Sequence, residues 1–378
     1  MPEGPGDFLS DLPARGIERF QQFDILRAQS PIVTNAGIEV LSYDDVMQVL
    51  VSRDWRMPAS AYSSSAEISS IIRMDGTEHE RLLPWLHLFV RRATGREARQ
   101  RVAAETELVV SSAPWPLDPV ALCAVPVTVM AWLLGVPLEP ARCRDWGIVA
   151  AQSAAAIADR EHNHVGPVEA LESFIDSISA QAGSSSPDGF AAEIRAAVAR
   201  GELSLADARS LLLTLVIAGG QSIHEAVHSL FFVLGTLGED IDFTSPAARR
   251  ALVAETLRLY TPSQFVIRES EVDGQVGGTP APAGTCARLW LSAANRDPAV
   301  FDRPHEFRQY RRGRNLAFAR GAHWCVAEGL AYALLDEIAA TVVRMVGTLT
   351  VVGTPSWLDS DLAFSPVGFH VDRNASVA

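Results

Sequence analysis

Apolar residues recur with a helical period through most of the chain. The pattern predicts helices over residues 17–28, 44–51, 77–92, 97–111, 119–134, 139–158, 168–181 and 190–200. Ser204 followed three residues later by Asp207 reads as a capping box, and it opens a long apolar helix reaching about Leu237. A further helix is expected over 247–260, stopped ahead of Pro262 because proline disfavours helical backbone in the residue before it. A last helix is expected over 326–345. Strand-like stretches are short: 37–41, 265–268, 288–292 and pieces after residue 345. Residues 56–70 are rich in Ser and Ala with no period and read as a long loop, and 182–189 as a short surface loop. Many helices, few strands and no strand–helix alternation predict a mainly α fold with small β-sheets. One large domain over residues 1–378 is the expected organisation.

Composition then removes whole classes of function. Over 378 residues, 48% are apolar and 20% charged, which describes a globular chain with a sizeable core. A net charge of −13 argues against non-specific binding to nucleic acid or to an anionic membrane. All 32 basic residues are Arg. Without Lys there is no Schiff-base lysine, no Walker-A lysine and no lysine base. Cys123, Cys143, Cys286 and Cys325 lie far apart and form no C-x-x-C pair, so neither a zinc ribbon nor a disulfide framework is suggested. A reducing, cytoplasmic compartment is expected. The first twenty residues carry scattered acids and no basic start or apolar run, so no signal peptide is expected. No membrane span is expected either, since no uninterrupted apolar run is long enough.

Two stretches hold candidate chemistry. His224-Glu225-Ala226-Val227-His228 is a formal H-E-x-x-H on a helix, the spacing with which a zinc peptidase holds its metal and polarises a water. At this His content, about one chain in a hundred would carry the match by chance. No third ligand stands out downstream, and two packed or surface histidines are the plain alternative. The second stretch is Phe318-Ala319-Arg320-Gly321-Ala322-His323-Trp324-Cys325. A Cys ahead of a helix has its thiolate favoured by the helix dipole and by unbonded backbone N–H groups. Gly321 permits a tight turn that brings backbone close to the sulfur. An ordinary packed Cys is the competing reading, and the better one for Cys123, Cys143 and Cys286.

The second stretch resembles the haem-binding loop of the cytochrome P450 family, F-x-x-G-x-H-x-C-x-G in bacterial members. Other segments agree in order. Glu255-Thr256-Leu257-Arg258 is similar to the family's E-x-x-R, and Pro262 and Arg268 follow at its usual spacing. Ala294-Asn295-Arg296-Asp297-Pro298, Phe301, Pro304, Phe307 and Arg311 resemble the approach to the haem loop. Ala218-Gly219-Gly220-Gln221-Ser222 sits where the distal helix carries A-G-x-D/E-T. Asp75, Glu78, His79 and Arg81 resemble D-x-x-E-H-x-R, and Ser42 to Val46 fit an early strand-to-helix step. The likeness runs over about residues 20–370.

The resemblance implies haem b with Cys325 as axial thiolate ligand to iron, a donor that favours O–O cleavage. It makes His79, Arg268 and His323 partners of the haem propionates, and places Phe318 against the sulfur. It puts Gly321 at the loop's turn, and Ala218 and Gly219 where the distal helix needs room. Glu255, Arg258 and Arg311 would form a buried structural ion network. The implied partners are a small-molecule substrate, a ferredoxin and a ferredoxin reductase. By the same resemblance the substrate is neutral or aromatic, of moderate size, and Ala-rich, Lys-free usage suggests bacterial specialised metabolism.

Several positions depart from the family pattern. Leu83 stands where an Arg often binds a propionate, and Ala319 and Ala327 stand where Gly is usual; these read as structural variation. Gln221 replaces an acid and Ser222 a Thr, at the positions that deliver protons during oxygen activation. Ser222 keeps a hydroxyl, but Gln221 cannot relay a proton as an acid does. Two mechanisms therefore remain: a monooxygenase using Ser222, water or a substrate hydroxyl, or redirected haem-thiolate chemistry such as coupling, ring closure, peroxide use or group transfer.

Overall fold

The structure, a computed structural model, describes residues 16–58, 71–136, 189–359 and 363–373. The helices expected over 139–158 and 168–181, Cys143, and most of the 56–70 loop lie outside the described residues. In chain order the elements are α1 (Arg19–Arg27), β1 (Ile32–Thr34), β2 (Gly37–Val40), α2 (Tyr43–Val51), β3 (Trp55–Arg56), α3 (Gly76–Ala93), α4 (Arg96–Ser112), α5 (Ala124–Leu134) and α6 (Phe190–Ala199). There follow α7 (Leu205–Leu237), α8 (Pro246–Leu259), β4 (Val266–Ser270), β5 (Gly274–Val276), β6 (Thr279–Ala281), β7 (Cys286–Leu289) and α9 (Leu291–Ala294). The chain closes with α10 (Glu328–Val346), β8 (Leu349–Val352), β9 (Ser356–Asp359), β10 (Phe364–Val367) and β11 (His370–Arg373). Helix dominates and the sheets are small, as the hydrophobic pattern predicts.

Cap chemistry sets the helix starts. Ser42 accepts the Asp45 amide at α2, and Ser245 accepts the Ala248 amide at α8, whose first residue is Pro246. At α7 the capping box is complete: the Asp207 amide donates to Ser204 Oγ at 3.1 Å, and the Ser204 amide donates to Asp207 Oδ2 at 2.9 Å. Tyr260 ends α8 two residues ahead of Pro262.

The chain divides into two compact units, each assembled from three separate stretches. The first holds residues 1–61, 228–325 and 353–369. Its five-stranded sheet runs β1-β2-β7-β4-β3, with β2 and β7 parallel and the other pairs antiparallel. Val40, Val46, Val49, Leu50, Leu289, Leu316 and Ala319 share one core cluster over this sheet. Phe20, Phe23, Trp290 and Phe364 form a second, aromatic one. The strand expected over 288–292 is instead β7 followed by α9. The Trp290 amide closes the ladder on the Val40 carbonyl, and the Ala294 and Asn295 amides then turn back to residues 290 and 291. Gly277 and Gly278, both at positive φ, make the two-residue β5–β6 turn.

The second unit holds residues 62–227, 326–352 and 370–378. Here α10 packs along α4, and α4 along α5. Phe89 of α3 meets Phe190 of α6 edge-on with ring centroids 5.1 Å apart. Strands β8 and β11 pair antiparallel, and Leu117 bridges to Val371. Among the described residues no helix is long and apolar enough to cross a membrane.

Candidate cofactor site

In the first unit, the segment ending at Cys325 is held from three directions. Asn295 is the anchor at its start. Its side-chain carbonyl accepts the Leu316 amide at 2.6 Å, while its NH2 donates to Thr261 Oγ1 at 2.9 Å. Asn315 donates to the Ala254 carbonyl of α8 at 3.0 Å. The Cys325 amide closes the loop on the Phe318 carbonyl at 3.0 Å. The third hold is steric. Gly321 has φ +79°, and a Cβ there would lie 1.9 Å from the Leu50 carbonyl oxygen in α2. The loop therefore lies backbone-to-backbone on α2, which only Gly permits.

The loop presents Cys325 as an exposed thiol. The helix after it begins at Glu328, two residues later than expected, so Cys325 stands three residues ahead of α10. Ala319 takes φ +51°, a conformation that favours Gly, and its methyl is buried in the core cluster. The departure noted at this position thus carries a backbone cost offset by packing. Phe318 and His323 are half-buried, and Trp324 is exposed beneath the Arg320 guanidinium.

Behind the loop the expected ion network is present. Arg258 grips Glu255 with two hydrogen bonds of 2.8 Å, and Arg311 Nε donates to the same carboxylate at 2.9 Å. Arg258 also donates to the Asn295 and Pro304 carbonyls, tying α8 to the segment that leads to the loop. Each polar residue of Asn295-Arg296-Asp297 has its own task. Asp297 accepts the Tyr43 amide at 2.8 Å at the start of α2. Arg296 donates to the Leu259 carbonyl and lies over the Phe20 ring. Burial, with the nearby Arg258 charge, pushes the Arg296 guanidinium down to about 9.

Arg268, on the interior strand β4 between β7 and the edge strand β3, is also buried. Its guanidinium donates to Met57 Sδ at 2.9 Å and to the Ile267 carbonyl at 2.8 Å. Met57 was not legible as part of this group from the sequence.

The second unit carries the other candidates. His79 is buried on α3, and burial lowers its pKa against the opposing charges of Asp75 and Glu80. Arg81, two residues on, is committed to Asp207 at the start of α7, with bonds of 2.9 and 2.6 Å. Ala218, Gly219, Gln221 and Ser222 all fall within α7, with Ser222 half-buried. Thr214 on the same helix accepts the Ile71 amide at 3.2 Å. Of the H-E-x-x-H residues, His224 accepts the Cys123 thiol through its main-chain carbonyl, and His228 packs edge-on to Phe369. Among the described residues, no group of three or more His, Cys, Asp or Glu is arranged to hold a metal ion.

A family model described as Cytochrome P450 matches residues 249–345, the stretch that spans the ion network and the Cys325 loop. Cytochrome P450 144 of Mycobacterium tuberculosis is 30% identical over 247 residues, covering 63% of this chain and 56% of that protein's length. Cytochrome P450 CYP105Q4 of Mycobacterium marinum is 28% identical over 335 residues, covering 82% and 80%. The fold matches a mutant of P450 EryK in complex with erythromycin B at TM-score 0.81, with 19% identity over 97% of this chain and all of that one. It matches the C–S bond-forming P450 CxnD of chuangxinmycin biosynthesis at TM-score 0.81, with 22% identity over 98% and 97%. The matched family model, the mycobacterial relatives and the shared fold all support a bacterial cytochrome P450.

Family and fold imply a haem with a cysteine thiolate as axial ligand. The residues present fit that group. The loop offers an exposed thiol from a Gly-seated turn. Arg268 and His323 in the same unit are cationic or N–H groups suited to carboxylates.

Proposed function

We propose that the chain works as one haem-thiolate domain that oxidises a small organic molecule, using O2 and electrons from a ferredoxin and its reductase. The observation that carries this is the 318–325 loop, closed on itself and seated on α2 through Gly321, with the Cys325 thiol exposed at its end. When bound, haem b supplies oxygen activation, and a thiolate donor favours O–O cleavage. The protein's part is to hold, orient and protonate. Cys325 is the proposed iron ligand. Arg268, His323 and His79 are the proposed propionate partners, and Phe318 shields the sulfur. Ala218 and Gly219, small by sequence, give α7 its room. Ser222 is the proposed hydroxyl for moving protons, with Gln221 as an amide that orients but does not titrate. Cys325→Ser tests this reading: the red-shifted band of the reduced carbon monoxide complex should vanish. Its survival would overturn the assignment.

The substrate we propose is a neutral or aromatic intermediate of bacterial specialised metabolism, in a cytoplasmic setting. P450 EryK with erythromycin B and P450 RauA with a biosynthetic intermediate of aurachin RE share this fold, so the fold accepts molecules of specialised metabolism. Gln221 favours a second reading, redirected chemistry without oxygen insertion, and CxnD shows that this fold supports C–S bond formation. Oxygen-18 from O2 in the product, with strict dependence on an electron donor, supports insertion. Turnover without either supports the second reading, and Gln221→Glu should then add hydroxylated side products.

A further inference from the structure

Arg268 owes its setting to the register of the strand before it. Trp55 pairs with Ser270 and Arg56 with Glu269, antiparallel, so the next residue, Met57, falls across from Arg268. Successive side chains of a strand alternate faces. Arg56 and Glu269 accordingly form an ion pair on the wet face, with Arg56 Nη2 to Oε1 at 2.8 Å. Met57 and Arg268 meet on the dry face, 5% and 4% exposed, with Arg268 Nη1 2.9 Å from the sulfur. Pro58 follows directly and has no N–H to extend the ladder.

We propose that Met57 is a positioning residue for Arg268, fixing its guanidinium for the haem-carboxylate contact assigned to it above, a reading on which this inference rests. The chemistry of the acceptor is what suits it. A thioether accepts weakly and carries no charge. It therefore holds one N–H of a long side chain, whose rotamer freedom is otherwise large, without neutralising the cation. A carboxylate at the same place would hold the group more strongly but spend its charge, as Glu269 does with Arg56. Anchoring by Met57 thus orients the guanidinium without itself spending its charge.

The test uses holoprotein and the rate of haem transfer to excess apomyoglobin. Wild type, Met57→Leu, Arg268→Ala, the double variant and Met57→Gln are compared, with unfolding of each apoprotein measured alongside. Leu keeps the volume and removes the acceptor, whereas Gln restores an acceptor oxygen. Arg268→Ala should speed haem loss; an unchanged rate overturns the reading of Arg268 itself, and this inference with it. Met57→Leu should speed haem loss roughly two- to tenfold, the loss expected for one hydrogen bond. The effect should disappear in the Arg268→Ala background, and Met57→Gln should stay near wild type. If Arg268→Ala speeds loss but Met57→Leu does not, Met57 has no positioning role. Equal acceleration by Met57→Leu in both backgrounds also overturns the proposal, because the effect would then not pass through Arg268.

Discussion

Replacing Gly321 with Ala should separate two penalties that usually arrive together. The first is conformational: at φ +79° an L-residue sits in left-handed backbone, at about 1–2 kcal/mol. The second is steric. The new Cβ would lie 1.9 Å from the Leu50 carbonyl oxygen and 2.9 Å from its carbon. Those are main-chain atoms near the end of α2, and the Leu50 side chain is locked in the core, so the loop must move instead. Forced overpacking costs about 1–3 kcal/mol, giving about 2–5 kcal/mol in all. Gly284 is the control, with φ +84° and nothing within 4 Å of its Cβ position. Gly284→Ala should cost only the conformational part, about 1–2 kcal/mol. Urea unfolding of both variants, with wild type, reads the difference from midpoints at constant slope. Gly321→Ala should also weaken the thiolate–haem spectrum, while Gly284→Ala leaves it intact. Equal destabilisation by the two variants, with unchanged spectra, would refute the claim that the loop is seated rigidly on α2.

Other expectations follow from the ion pairs. Glu255→Leu leaves Arg258 and Arg311 without their shared buried carboxylate and should cost about 3–5 kcal/mol in urea unfolding. The Arg81 guanidinium, with the Ser204 cap bonds, holds the Asp207 carboxyl down to about 2. Its stabilisation is therefore full above the ordinary carboxyl range and lost as pH falls through about 4 to 2. Asp207→Asn should cost about 0.5–1 kcal/mol at pH 7, because Arg81 is half exposed, and the gap to wild type should close as the pH is lowered. Arg91 and Arg96 are exposed, whereas Arg92 is tied to Glu193. Reversing Arg91 and Arg96 to Glu should slow ferredoxin-supported turnover most at low salt; rates equal at all ionic strengths would count against an acidic donor docking there. Changing His224 and His228 together to Ala should leave metal content unchanged, and stoichiometric zinc lost in that variant would contradict the haem-thiolate assignment.

Local chemistry made much of this protein legible in its sequence. The capping box at Ser204 and Asp207, the stop ahead of Pro262 and the helical periods all act within a few residues, where side chain and backbone decide the outcome between themselves. The Glu255–Arg258 pair was legible through the resemblance of Glu255-Thr256-Leu257-Arg258 to the family's E-x-x-R. The Cys325 segment was legible as a pattern of Gly, His and Cys. What escaped was set by distant partners. A strand reading of 288–292 failed because the Val40 carbonyl, far off in sequence, ends the ladder at Trp290. The three residues of β1 carry no period of their own and exist only through β2.

The tertiary structure alone decided why Gly321 must be Gly, since the Leu50 carbonyl that crowds it lies far earlier in the chain. It also decided what Asn295 and Met57 do, because a hydrogen bond between strands or across a loop depends on register, and register depends on which faces the whole unit buries. The sequence by itself determined most of the described helices, the cap at Ser204 and the residue types available for chemistry. Those follow from contacts a few residues long, whereas the pairing of Met57 with Arg268 and the seating of the Cys325 loop are set by packing between segments that only the folded chain brings together.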